Sequence, residues 1–162
     1  MTTLNDVYWK FGFASEAAQL LETELGTALL LAEAVEKNLL AKRDPKTAAE
    51  VYQRIDRMTL GQIISALKKW KGGALPPGID FTVIEPLLAA ALDARNQLQH
   101  SFYRRHNFRR NSEEGRELML ADLESIHEAI LDAYKAVLLL SGTDLDDPAM
   151  QNLPTPTKHL PI

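Results

Sequence analysis

Three kinds of group that can work on a phosphodiester stand within six residues: the guanidinium of Arg95, the amide of Asn96 and the imidazole of His100, in the run Arg95-Asn96-Gln97-Leu98-Gln99-His100. Arginine keeps its charge at any working pH and offers a phosphate two donors. Histidine titrates near neutrality. A group that moves a proton and a group that neutralises developing charge together suit the breaking of a phosphate ester. On a helix Asn96 and His100 share a face, so the amide can orient the imidazole. Arg95 is turned about 140° from His100 and would work from the edge of the same groove. From spacing alone the commoner reading is a polar helix face whose Arg and His are solvated or locally paired. A second run follows at once, Arg104-Arg105-His106-Asn107-Phe108-Arg109-Arg110. As function, Arg104, Arg105, Arg109 and Arg110 would hold RNA phosphates, with Tyr103 and Phe108 available to stack on bases. As a solvated loop, some of them would pair with Glu113, Glu114 or Glu117.

The elements that must position these groups read as helices nearly throughout. Residues 15–41 are expected to form the first, opened by Ser15, with Leu20, Leu21, Thr27, Ala28, Leu31, Val35 and Leu39 recurring at helical spacing. Pro45 opens a helix over 46–58 carrying Ala48, Val51, Tyr52 and Ile55 on one side. Thr59 caps a segment over 60–70 with Ile63, Ile64 and Leu67 inward. The glycine- and proline-rich run 72–78 is a loop. A helix from Phe81 brings Ile84, Leu87, Leu88, Ala91, Leu92 and Leu98 up to the motif. A break at 107–111 precedes the last long helix. Ser112 caps it, Glu113 and Glu114 fill its first turn, and Leu118, Leu120, Leu123, Ile126, Ile130, Tyr134, Val137 and Leu138 follow before Gly142 ends it. Trp9, Phe11 and Phe13 read as staples against the core. With no alternating strand pattern, the expected fold is all-α: an antiparallel bundle of four or five helices over 1–142. A tail over 143–162 carries Pro148, Pro154, Pro156 and Pro161 and reads as an extended or disordered arm.

Composition narrows the classes. Of 162 residues, 46% are apolar and 25% charged, enough to bury one core without staples. The absence of cysteine excludes disulfides and thiolate metal sites and fits a reducing compartment. The first residues show no basic stretch ahead of an apolar run, and no run is long enough to span a bilayer, so a cytoplasmic protein without membrane contact is expected. A net charge of −4 argues against coating nucleic acid by charge alone but leaves room for a local basic site. His106, His127 and His159 have no metal-ligand spacing with His100, and the acids of the first helix lack the Glu-x-x-His pattern of di-metal bundles. No metal or cofactor is expected.

Arg-Asn-x-x-x-His late in a helix of a small all-helical chain resembles the signature of the HEPN superfamily. The stretch Met58-Thr59-Leu60-Gly61-Gln62-Ile63-Ile64 is similar to one found in HEPN-like proteins, and the resemblance spans about 15–140. It implies a helical bundle, a homodimer, and a metal-independent endoribonuclease of the hydrolase class. In such a protein Arg95, Asn96 and His100 of two subunits meet in one cleft at the interface. It also implies a toxin–antitoxin or phage-defence setting, with RNA as substrate and an antitoxin protein as partner. In one subgroup a tyrosine two residues after the histidine is modified by a nucleotidyltransferase partner. Here that position is Phe102, with Tyr103 next, so this mode of neutralisation does not carry over. Two non-enzymatic readings stand beside the ribonuclease: a HEPN-like bundle binding RNA, a nucleotide or a protein, and a regulator or antitoxin without nucleic-acid contact.

Overall fold

The computed structural model describes residues 1–42, 44–69, 81–140 and 142–148. The 72–78 loop, the tail from 149 and His159 lie outside them. The described residues are helical with no strand. Helix α1 spans Leu4–Glu36, α2 Leu39–Lys42, α3 Pro45–Asp56, α4 Leu60–Lys69, α5 Phe81–Asn96, α6 Phe102–Arg105 and α7 Glu113–Leu140. A π turn, Gln97–Ser101, joins α5 to α6, and a 3-10 turn, Arg109–Asn111, leads into α7.

The local reasons are legible at most ends. Asp44 caps α3, its carboxylate accepting from Thr47 N, and Pro45 takes the first turn, where its missing N–H costs nothing. Thr59 and Gln62 form a reciprocal cap on α4. Ser112 Oγ accepts from Gly115 N at the start of α7. Gly142 lies at φ +82 just past α7, as a helix terminator should.

The first helix differs from the expectation. It starts at Thr3, which forms a capping box with Asp6, and not at Ser15. Ser15 Oγ instead donates to Phe11 O inside the helix. It ends at Glu36, where Asn38 adopts φ +52, a conformation asparagine tolerates. The buried face is Val7, Ala14, Ala18, Leu21, Leu25 and Leu29. Leu20, Leu31 and Val35 point outward, as do Tyr52 on α3 and Leu118 on α7. Of the three expected staples only Phe11 packs on the core; Trp9 is 64% exposed and Phe13 stacks beside it.

α1, α5 and α7 form the centre. Leu88, Ala91, Leu98 and Phe102 meet Met119, Leu123, Ile126 and Ile130 over the buried side of α1. Successive long helices alternate in direction: Gly61 lies against Leu92 while Lys68 pairs with Glu85. The first and last helices run parallel, since Thr2 meets Glu113 and Arg116 while Lys10 meets Glu124 and His127. The bundle is thus antiparallel between neighbours in sequence but closed by a parallel pair. The start of the tail turns back on α7, with Thr143 N donating to Leu138 O and Lys135 bonded to Asp146 at 3.0 Å. No described helix is long and apolar enough to cross a membrane.

Candidate functional site

The motif straddles a change of helix type. Arg95 and Asn96 end α5, and His100 stands on the π turn. Such turns cost hydrogen-bond geometry and are found disproportionately at functional sites. A local cause is visible. Ser101 Oγ donates to Gln97 O at 3.1 Å, and Ser101 itself sits at φ −131, off the helical value. The widened turn bonds i→i+5, so each residue advances less than 100° round the axis. By helix geometry alone, a five-residue separation that spans such a turn closes from about 140° toward a full turn.

Asn96 and His100 are exposed. The Arg95 side chain is only 16% exposed, lying in the groove between α5 and α1. Its Nη1 donates to Asn96 Oδ1 at 3.3 Å, and its Nη2 stands 3.9 Å from Glu22 Oε2. Its Nε is buried with no hydrogen-bond partner. The guanidinium is thus held loosely, with one donor unmatched. A cavity of about 270 Å³ between α1, α3 and α4 borders Glu22 but no motif residue.

The arginine run divides into two parts. Arg105 bridges Gln97 Oε1 at 2.7 Å and Asp122 Oδ2 at 2.9 Å. Arg109 Nη1 donates to His106 Nδ1 at 3.2 Å. The sequence offered Glu113, Glu114 or Glu117 as partners for this run; among the described residues it pairs with Asp122, while Glu113 meets Thr2 N and the N-terminus. Arg104 and Arg110 are exposed, and their side chains have no partner among the described residues. Phe108 between them is 82% exposed. Tyr103 stacks on Phe11 at 5.3 Å, and burial, with Tyr8 nearby, raises its phenol above the ordinary range. Phe102, by contrast, is sealed between Phe11 and His106.

Sequence reasoning missed the groups behind the motif. His106 is 2% exposed, and its Nε2 lies 2.7 Å from Asp122 Oδ2. Because Arg109 can only donate to Nδ1, the ring proton sits on Nε2 and is given to Asp122. A histidine four residues after a core phenylalanine was the available signal; Asp122, a full helix away in the chain, had none. His127 belongs elsewhere, against Lys10, and burial with that ammonium keeps it below the usual imidazole range. Among the described residues no three His, Asp or Glu side chains are placed to share a cation. No protein-family model, curated protein or solved structure matches the chain.

Proposed function

We propose that this chain is a metal-independent endoribonuclease of HEPN type, acting as a homodimer in which the motif residues of two copies share one cleft. One observation carries the reading. His100 stands exposed on the π turn that directly follows Arg95, and the Arg95 guanidinium is held only by a 3.3 Å bond to Asn96 and a 3.9 Å contact with Glu22, which leaves it able to turn toward a phosphate. His100 would remove the proton of a ribose 2′-hydroxyl. The freed oxygen attacks phosphorus, the bond to the 5′-oxygen breaks, and the second copy's His100, protonated at the outset, gives its proton to that leaving oxygen. Arg95 would neutralise the charge that builds on the phosphoryl oxygens. The products are a 2′,3′-cyclic phosphate and a 5′-hydroxyl. No outside nucleophile is required, so the chemistry needs no metal-bound water. Arg104, Arg110 and Phe108 supply two exposed cations and an exposed ring on the adjoining loop, the combination that single-stranded RNA favours. A toxin or phage-defence role, with an antitoxin as partner, goes with the family resemblance.

The Glu22–Arg95 contact favours a second reading, in which the bundle binds RNA or a partner without cutting it. The test is the purified protein with an end-labelled mixed RNA pool, with and without chelator, beside His100→Ala. Cleavage that survives chelator, leaves cyclic phosphate ends and disappears in His100→Ala supports the ribonuclease. A dimer that binds the pool and leaves it whole supports the second reading.

A further inference from the structure

Behind the motif runs a chain of hydrogen bonds that ends on α7. Asp122 Oδ2 accepts from His106 Nε2 at 2.7 Å and from Arg105 Nη2 at 2.9 Å. Arg105 continues through Nη1 to Gln97 Oε1 at 2.7 Å. Gln97 is the first residue of the π turn, and its carbonyl takes the Ser101 hydroxyl. His106 is sealed against Phe102, with ring centroids 4.6 Å apart. One carboxylate oxygen therefore ties together the π turn, the arginine loop and α7.

We propose that Asp122 is a positioning residue for the site: through Arg105 and Gln97 it holds the turn in its wide form and so fixes where His100 points. The physical need is plain. A π turn is rare because its hydrogen bonds are poorly aligned, and a regular helix would swing His100 back to about 140° from Arg95. The Ser101 hydroxyl supports the wide turn from within, and a tether from outside the turn adds to that support. Charge-assisted bonds of 2.7–2.9 Å to a fixed helix are the strongest candidates present. His106 adds rigidity, since its buried ring locks the Asp122 carboxylate on one side while Arg105 pulls from the other.

The catalytic part of this inference rests on the ribonuclease reading; the turn geometry is tested without RNA. Gln97→Leu cuts the exposed link and leaves the buried Asp122–His106 bond intact. Asp122→Asn keeps the shape and removes the charge that holds two donors on one oxygen. In the full-length protein, NMR shifts and amide exchange of 97–101, together with the titration of the His100 imidazole, report the turn directly. Both variants should move these signals toward those of a regular helix. In cleavage, kcat should fall about tenfold with KM within about twofold, since a misplaced proton acceptor slows chemistry more than binding. The double variant should be no worse than the poorer single one, because both cut the same chain. Wild-type shifts and wild-type kcat in Gln97→Leu would overturn the proposal, as would additive effects in the double variant. If Asp122→Asn does not fold, Gln97→Leu alone decides. If the wild-type protein cuts no RNA but the turn signals shift as expected, the ribonuclease reading fails and Asp122 still stands as the residue that sets the turn.

Discussion

Replacing Glu22 with glutamine should tighten RNA binding, and the size of the effect follows from the geometry of its contact. Two unit charges 3.9 Å apart attract by about 4 kcal/mol at an effective dielectric of about 20. Both groups keep some solvent, 16% for the Arg95 side chain and 28% for Glu22, and the separation is at the outer edge of an ion pair. Those facts reduce the net contribution to about 1 kcal/mol. A phosphate that engages Arg95 must displace this carboxylate, so the same amount opposes binding in the native protein. Glu22→Gln removes the competitor, keeps the side-chain volume and should lower the Kd for a short single-stranded RNA by about fivefold. The same change should lower the thermal midpoint slightly, since the guanidinium loses its nearest carboxylate. Fluorescence anisotropy with a labelled oligonucleotide, beside a melting curve, measures both. Unchanged or weaker RNA binding at an unchanged fold would refute the reasoning, because Arg95 would then have no part in holding a phosphate.

Arg104→Ala with Arg110→Ala should weaken RNA binding across sequences and flatten its dependence on salt by about two phosphate contacts, seen in a titration of Kd against ionic strength. Arg105→Ala should instead disturb the motif turn, because that guanidinium is already engaged with Gln97 and Asp122. Two glycines should respond with opposite sign. At Gly115 an added Cβ would lie 2.0 Å from Arg109 O, so Gly115→Ala must displace the backbone at the head of α7 and should cost more than about 2 kcal/mol in denaturant melts. At Gly12 nothing lies within 4 Å, and Gly12→Ala should stabilise α1 by about 0.5–1 kcal/mol. Glu33 gives a pH signature. Its burial pushes the carboxyl up, but bonds from Arg54 and Lys37 outweigh that and leave it below its ordinary 4.5. A lowered folded value means the stabilisation is present above the ordinary carboxylate range and is lost as pH falls through the folded value. Glu33→Gln should therefore be less stable at neutral pH and show a shallower loss of stability below about 4.5, read from chemical denaturation at several pH values.

The helix starts at Pro45, Leu60 and Glu113 were legible because each is fixed by a cap within three residues of the boundary. The start of α1 was not, because Thr3 and Asp6 form their capping box ahead of Trp9, Phe11 and Phe13, which puts all three inside the helix. That error carried into the choice of face. α1 bears apolar residues nearly all round, so Leu20 and Leu31 match a helical period as well as Leu21 and Leu25 do. Only the positions of α7, α4 and α3 against α1 decide which are buried. Packing direction is likewise a property of pairs. Nothing in either helix alone says that α1 and α7 run parallel.

The motif shows the same division at finer scale. Residue types and spacing singled out Arg95, Asn96 and His100, and the structure brings all three to the end of one helix. What spacing could not supply is the angle between them, since that depends on whether the turn is regular or wide. The difference is set by a carboxylate on another helix, 17 residues beyond the arginine it grips. On a regular helix Arg95 and His100 would lie on separate faces, and one copy would hold only half of a useful arrangement. A wide turn reduces that angle, and under the proposed reading each copy would then carry a proton acceptor with a cation beside it. The chemistry is written in the six-residue run; its alignment is written in Gln97, Arg105 and Asp122, which a reading of that run alone passes over.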